Sequence, residues 1–247
     1  MSDAIWAGTV SFAGYEGAEL EGYLARPLGG FSRGGVVVIH HLPGYDAGTK
    51  EIVRRFAVQG YAAVCPNLYS REGVGVSPDD QAAAVRARGG VPDEQLVGDV
   101  AGGAAYLNSL EHANGKIGVI GYCSGGRQAF LVACSLGIDA AVDCYGAFVA
   151  SDPPAGHPLK VRSLLPKAPG LSCPVLGLFG EEDSFPAPAE VGVLDAELDR
   201  LGKAHEFHVY PGAGHAFFSV DRPAYRPAAA VDGWKRIFAF FGRHLAG

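Results

Sequence analysis

The sequence predicts an α/β protein: a mostly parallel central sheet with helices packed on both faces. Three observations carry this. Short apolar runs alternate with helix-length amphipathic segments along most of the chain, the order produced by successive strand–crossover–strand units. Most of the runs are apolar at consecutive positions, as in VVVI at 36–39 and IGVIGY at 117–122, which is the pattern of strands covered on both faces. The 247 residues also include 36 glycines with no Gly-X-Y period, roughly twice the ordinary share, so tight turns and close backbone approaches are frequent.

In chain order, strands are expected at 20–25, 36–40, 62–66, 117–122, 140–145, 175–179 and 206–210, each rich in β-branched or aromatic residues and bounded by turn formers. Helices are expected at 49–59, at 93–110 with apolar positions 96, 97, 100, 104 and 107, at 125–136, and at 189–201 with apolar positions 191, 194, 198 and 201. A last helix carries Val231, Trp234, Ile237, Phe238 and Phe241, again on one face of a 3.6-residue period. The stretch 151–171, dense in Pro and Gly, reads as a surface excursion. No internal repeat and no linker divides the chain, and 1–247 is expected to form a single domain.

Composition narrows the function classes. Hydrophobic residues make up 48% and charged residues 19%, enough apolar side chain for a large core and too little charge for a disordered chain. Net charge is −6 with Lys and Arg scattered, which argues against nucleic acid or an anionic membrane as a partner. The start MSDAIWAGTV lacks the basic and apolar regions of a signal peptide, and no apolar run is long enough to span a bilayer, so a cytoplasmic protein is expected. Five cysteines without a C-x-x-C pair suggest neither a disulfide framework nor a metal site. A G-x-G-x-x-G turn and a P-loop are both missing, so no dinucleotide or nucleotide cofactor is expected.

Chemistry in such a fold gathers beyond the carboxyl ends of the strands. There the segment KIGVIGYCSGGRQAFLVA runs from a strand straight into a helix, with Gly121, Cys123 and Gly125 at the bend. This is Gly-x-Cys-x-Gly, a nucleophile elbow with cysteine as the nucleophile. Small neighbours let strand and helix approach, and a thiol over a helix amino terminus is favoured as the nucleophilic thiolate. The next turns supply partners: VLGLFG leads into Glu181, Glu182 and Asp183, and HEFHVYPGAG leads into His215. Nucleophile, acid and histidine follow in that order, the acid being Asp183 in a run where a solvated acidic turn is the bland alternative.

GYAAVCPNLYSREG (60–73), GYCSGG (121–126), GEEDSFPAPAE (180–190) and YPGAGHAF (210–217) together resemble the dienelactone hydrolase family over most of the chain. The resemblance implies an α/β-hydrolase fold, a catalytic triad at Cys123, Asp183 and His215, and no metal or organic cofactor. It implies hydrolysis of a small ester or lactone through an acyl-thiol intermediate, with the backbone N–H groups of Leu42 and Ser124 as oxyanion donors. A thioesterase or acyltransferase using the same intermediate is the alternative, and a non-catalytic binding module a more remote one.

Two positions depart from that family. Its glutamate beside the resting thiol falls on His41 in the stretch HHLPG, where an imidazole can donate to sulfur or to substrate. Its substrate-binding arginine four residues after the histidine falls on Ser219. Arg86 and Arg88, with Arg71 and Arg222 behind them, are the basic residues that could take over, and Phe217 is a further pocket candidate. With no evident cation fixed at the site, neutral esters or lactones are expected to react at least as well as a carboxylated dienelactone. Cys65, Cys134 and Cys144 lie in apolar patterns and read as small core hydrophobes.

Overall fold

The computed structural model describes residues 4–30, 33–42, 44–73 and 76–247. Eight strands form its centre: β1 (Ile5–Ala13), β2 (Glu19–Pro27), β3 (Gly35–Ile39), β4 (Ala62–Pro66), β5 (Ile117–Tyr122), β6 (Ala140–Cys144), β7 (Val175–Gly180) and β8 (His205–Tyr210). They lie side by side in the order β1-β2-β4-β3-β5-β6-β7-β8. β1 and β2 are antiparallel, as are β2 and β4, and every pairing from β4 to β8 is parallel. The helices are α1 (Ala47–Val58), α2 (Pro78–Arg88), α3 (Asp93–Asn108), α4 (Ser124–Ser135), α5 (Pro188–Arg200) and α6 (Pro227–His244).

The consecutive apolar runs follow from two cores, one on each face of the sheet. Val37, Ile39 and Val119 point to the side of α3, α4 and α5, where they meet Leu96, Val100, Phe130 and Leu131. Their neighbours Val36, Val38 and Ile120 point to the side of α1 and α6, against Val53, Phe56, Ile237 and Phe241. With side chains alternating between two buried faces, no position in β3 is left for a polar residue. All five of its residues are buried.

Two elements were not expected from the sequence. β1 is a half-exposed edge strand paired residue for residue with β2, and its sequence IWAGTVSFA gives a weak alternation rather than an apolar run. α2 has no apolar stripe and buries only Gln81, Ala82 and Val85. Its ends nevertheless carry standard signals: Ser77 Oγ accepts the Asp80 N–H at 3.2 Å, Pro78 opens the helix, and Gly89 closes it in the left-handed region, as helix caps do. The 151–171 excursion is largely exposed but ends in a 3-10 turn, Leu165–Gly170, anchored by buried Leu164 and Ala168. Among the described residues no helix is long and apolar enough to cross a membrane.

Candidate active site

Cys123 stands alone between β5 and α4, with φ 57° and ψ −122°. A β-carbon at Gly121 would run into the Gly125 carbonyl, and one at Gly125 into the carbonyls of Ile39 and His40. The Gly-x-Cys-x-Gly spacing therefore exists because β5, α4 and the end of β3 meet backbone to backbone. The Cys123 N–H donates to the Cys144 carbonyl at 3.0 Å, tying the elbow to β6. Tyr145 (φ 45°) and Ala216 (φ 64°) also hold positive φ, so three non-glycine residues at the strand ends keep conformations that cost about 1–3 kcal/mol each.

His215 Nδ1 donates to Asp183 Oδ2 at 2.8 Å, and the other carboxylate oxygen accepts the Phe185 N–H at 2.8 Å. Asp183 is buried, whereas Glu181 and Glu182 are exposed. Of the three acids only Asp183 can orient the ring. The ring packs edge-on against Tyr145, centroid to centroid 5.1 Å. Burial works against a charged imidazole here, but the interactions with Asp183 and Cys123 outweigh it and raise the pKa of His215 to about 10. The site thus favours an imidazolium between a carboxylate and the thiol.

The other four thiols are in different surroundings. Burial pushes Cys134 and Cys173 up to about 12, and Cys65 and Cys144 higher still. Each is thereby held as the unreactive thiol.

Two cavities flank Cys123, and Leu42 and His215 line both. The larger, about 430 Å³, is walled by Tyr69, Val85, Val91, Phe148, Leu159 and Phe185 and also reaches Ser124. The smaller, about 130 Å³, lies against His41, Tyr122, Tyr145, Phe218, Ser219 and Trp234. As the first residue of α4, Ser124 has no intrahelical acceptor for its N–H. The loop bearing Leu42 is held by His40, which is 1% exposed. The Nδ1–H of that ring donates to the His41 carbonyl at 3.0 Å and Nε2 accepts the Leu68 N–H at 3.2 Å. Desolvation lowers its pKa to about 4, so the ring is a neutral clamp.

Several expectations need correction. Phe217 is completely buried between Tyr145, Tyr210 and Phe218 and lines neither cavity, because the left-handed turn at Ala216 sends it into the core and presents Phe218 instead. Arg86 and Arg88 are exposed on α2 and line neither cavity; Arg88 is paired with Glu72. Arg71 is held bidentately by buried Asp99 at 2.7 and 2.9 Å. His41 does line the smaller cavity, but its Nε2 approaches Asp46 Oδ2 at 3.3 Å, and among the described residues no hydrogen bond joins it to the thiol. Arg127, four residues beyond Cys123, was not singled out from the sequence although it lines the larger cavity. The available signal was a charged residue inside an otherwise apolar helix stretch.

A mostly parallel eight-stranded sheet with a cysteine at the β5–α4 elbow, facing a histidine and a buried aspartate from later strand ends, defines the α/β-hydrolase fold. The dienelactone hydrolase family pattern matches residues 20–245, and the chain belongs to that family. Among curated relatives, a "Putative carboxymethylenebutenolidase" of Methylorubrum extorquens is 32% identical over 98% of this chain and 83% of its own. A carboxymethylenebutenolidase of Pseudomonas putida is 33% identical over 83% of this chain and 84% of its own. A crystal structure titled "Putative Dienelactone Hydrolase", from Klebsiella pneumoniae, superposes with a TM-score of 0.84 at 29% identity, covering 98% of this chain and all of that one. The protein is a hydrolase of this family.

Proposed function

We propose that the protein hydrolyses small esters or lactones through an acyl-thiol intermediate on Cys123. The observation that carries this is the 2.8 Å bond from His215 to buried Asp183, with the imidazole interacting on the thiol as well. In the first half-reaction Cys123 Sγ attacks the carbonyl carbon, and the N–H groups of Leu42 and Ser124 receive the developing oxyanion. Collapse of the tetrahedral adduct breaks the carbon–oxygen bond of the ester, and the departing oxygen takes the proton from His215. In the second half-reaction His215 removes a proton from water as that water attacks the thioester. The acid departs, and the released sulfur is again paired with the imidazolium. Asp183 accepts from His215 Nδ1 and fixes the tautomer, so that the other nitrogen always serves the reacting atoms.

Iodoacetamide tests this reading. One equivalent should label Cys123 before the four suppressed thiols and abolish hydrolysis of a chromogenic ester in proportion to labelling. Full activity with Cys123 quantitatively modified would contradict the covalent route. An added alcohol or thiol acceptor separates hydrolysis from acyl transfer, since only a transferase would send most of the acyl group to the acceptor.

A further inference from the structure

Tyr69 is a buried tyrosine that the covalent cycle leaves unused. It follows β4, is 5% exposed, and lines the larger cavity together with Cys123, Leu42, Ser124 and His215. Its ring is fixed from two directions. His40 meets it edge-on with centroids 4.6 Å apart, and a β-carbon at Gly44 would run into the ring edge. The free end is the hydroxyl. Among the described residues nothing hydrogen-bonds it, yet it keeps accessible surface, unlike the unpartnered hydroxyls of Tyr45 and Tyr122. A phenol O–H is a donor as well as an acceptor, and an unused one on the wall of a desolvated site gains free energy when an acceptor arrives.

The hydroxyl stays protonated. Burial first, and then the sulfur of Cys123, hold it well above the usual phenol range, and the second of these causes places it within electrostatic reach of the nucleophile. Tyr145 also feels that sulfur, but Ser219 engages its hydroxyl and its ring packs on His215. His40 couples Tyr69 to the loop that bears Leu42. Its Nδ1–H holds the His41 carbonyl, next to Leu42, and its Nε2 holds the Leu68 N–H, next to Tyr69. One buried imidazole therefore sets the Leu42 amide and the Tyr69 ring relative to each other, while Ser124 approaches from the start of α4.

We infer that Tyr69 is a third oxyanion donor, its hydroxyl joining the N–H groups of Leu42 and Ser124 on the substrate carbonyl oxygen as that oxygen becomes an alkoxide. The inference rests on the proposed attack by Cys123, because the oxygen gains its charge only when sulfur, and later water, adds to the carbonyl carbon. No proton changes hands. The phenol keeps its hydrogen throughout and releases the oxygen when each tetrahedral adduct collapses. A donor placed where charge develops binds the transition state more tightly than the ester, so it raises kcat with little effect on KM.

The test uses Tyr69→Phe, which keeps the ring and its contacts with His40 and Gly44, with thermal melts to confirm folding. For 4-nitrophenyl butyrate the variant should lose at least tenfold in kcat while KM stays within about twofold, the pattern of an interaction made only in the transition state. Phenethyl trifluoromethyl ketone, which adds a thiolate to give an anionic hemithioketal, should bind the variant at least tenfold more weakly. Alkylation of Cys123 by iodoacetamide creates no alkoxide, and its rate should stay within about twofold of wild type. Should Tyr69→Phe fail to fold, 4-fluorophenylalanine at position 69 fills nearly the same volume without the proton and takes its place in all three measurements. Unchanged kcat, ketone affinity equal to wild type, or alkylation slowed in parallel with hydrolysis would each overturn the oxyanion role. Failure of the Cys123 reading shows separately, as ester hydrolysis by wild type that survives alkylation of Cys123.

Discussion

At the scale of single residues, the site's behaviour turns on His215. Its pKa is raised by folding to about 10, so the protonated ring is the form the structure stabilises. That contribution is complete below about pH 6.5 and is lost as pH rises through about 10. The pH profile of kcat/KM for an activated ester should therefore hold into alkaline solution and fall near pH 10. Asp183→Asn removes the largest interaction that raises the pKa, so its alkaline limb should move to lower pH. Turnover should drop by about 10³-fold or more in His215→Ala and by less in Asp183→Asn. A severe Glu182→Gln beside a silent Asp183→Asn would move the acid by one residue. Cys123, Asp183 and His215 were legible because each follows an apolar strand and the elbow glycines are demanded by backbone contact. Arg127 was hidden because its isolation depends on how the 151–171 excursion and α3 close around it, which no local pattern records.

At the scale of elements, two buried titratable groups join the loops that build the site. His40 links the end of β3 to the segment after β4, and its pKa is depressed to about 4 by burial. The unfolded chain binds a proton more readily, so wild type should lose stability as pH falls from about 6.5 toward 4. His40→Leu leaves the Leu68 N–H without an acceptor, which costs about 1–3 kcal/mol, and its stability should no longer respond to pH through this group. Asp143 lies at the end of β6 against Gly126 and Gly146, with Oδ1 accepting the Gly146 N–H at 2.7 Å and Oδ2 without a hydrogen-bond partner among the described residues. Burial raises its pKa to about 7, so ionisation destabilises the fold as pH rises from about 4 to 7. Asp143→Asn keeps the acceptor and cannot ionise. Its Tm should match wild type near pH 4 and exceed it at pH 8, which thermal melts across that range would check. The strands from β3 to β7 could be read because all of their residues are buried; β1 could not, since its half-exposed residues alternate only weakly. α2 shows the converse, with clear caps at Ser77 and Gly89 around a helix whose buried face is only Gln81, Ala82 and Val85.

At the scale of the whole molecule, the parallel sheet brings together, beyond the carboxyl ends of its strands, three residues that lie far apart in the chain. β5, β7 and β8 end at Tyr122, Gly180 and Tyr210, each followed within five residues by a member of the candidate triad. The mostly parallel sheet and the family were both legible from the alternation and the motifs. Cavity shape was not, because it depends on side chains from α2, α4 and the 151–171 excursion meeting over Cys123. The central claim, a covalent acyl group on sulfur, is tested most directly by rapid quenching of wild type with a slowly deacylating aryl ester, followed by peptide mass mapping. The account predicts one acyl adduct per chain, located on Cys123, forming at the rate of the aryl alcohol burst and decaying at the steady-state rate. An adduct on another residue, or full turnover with no adduct at any time, would contradict it.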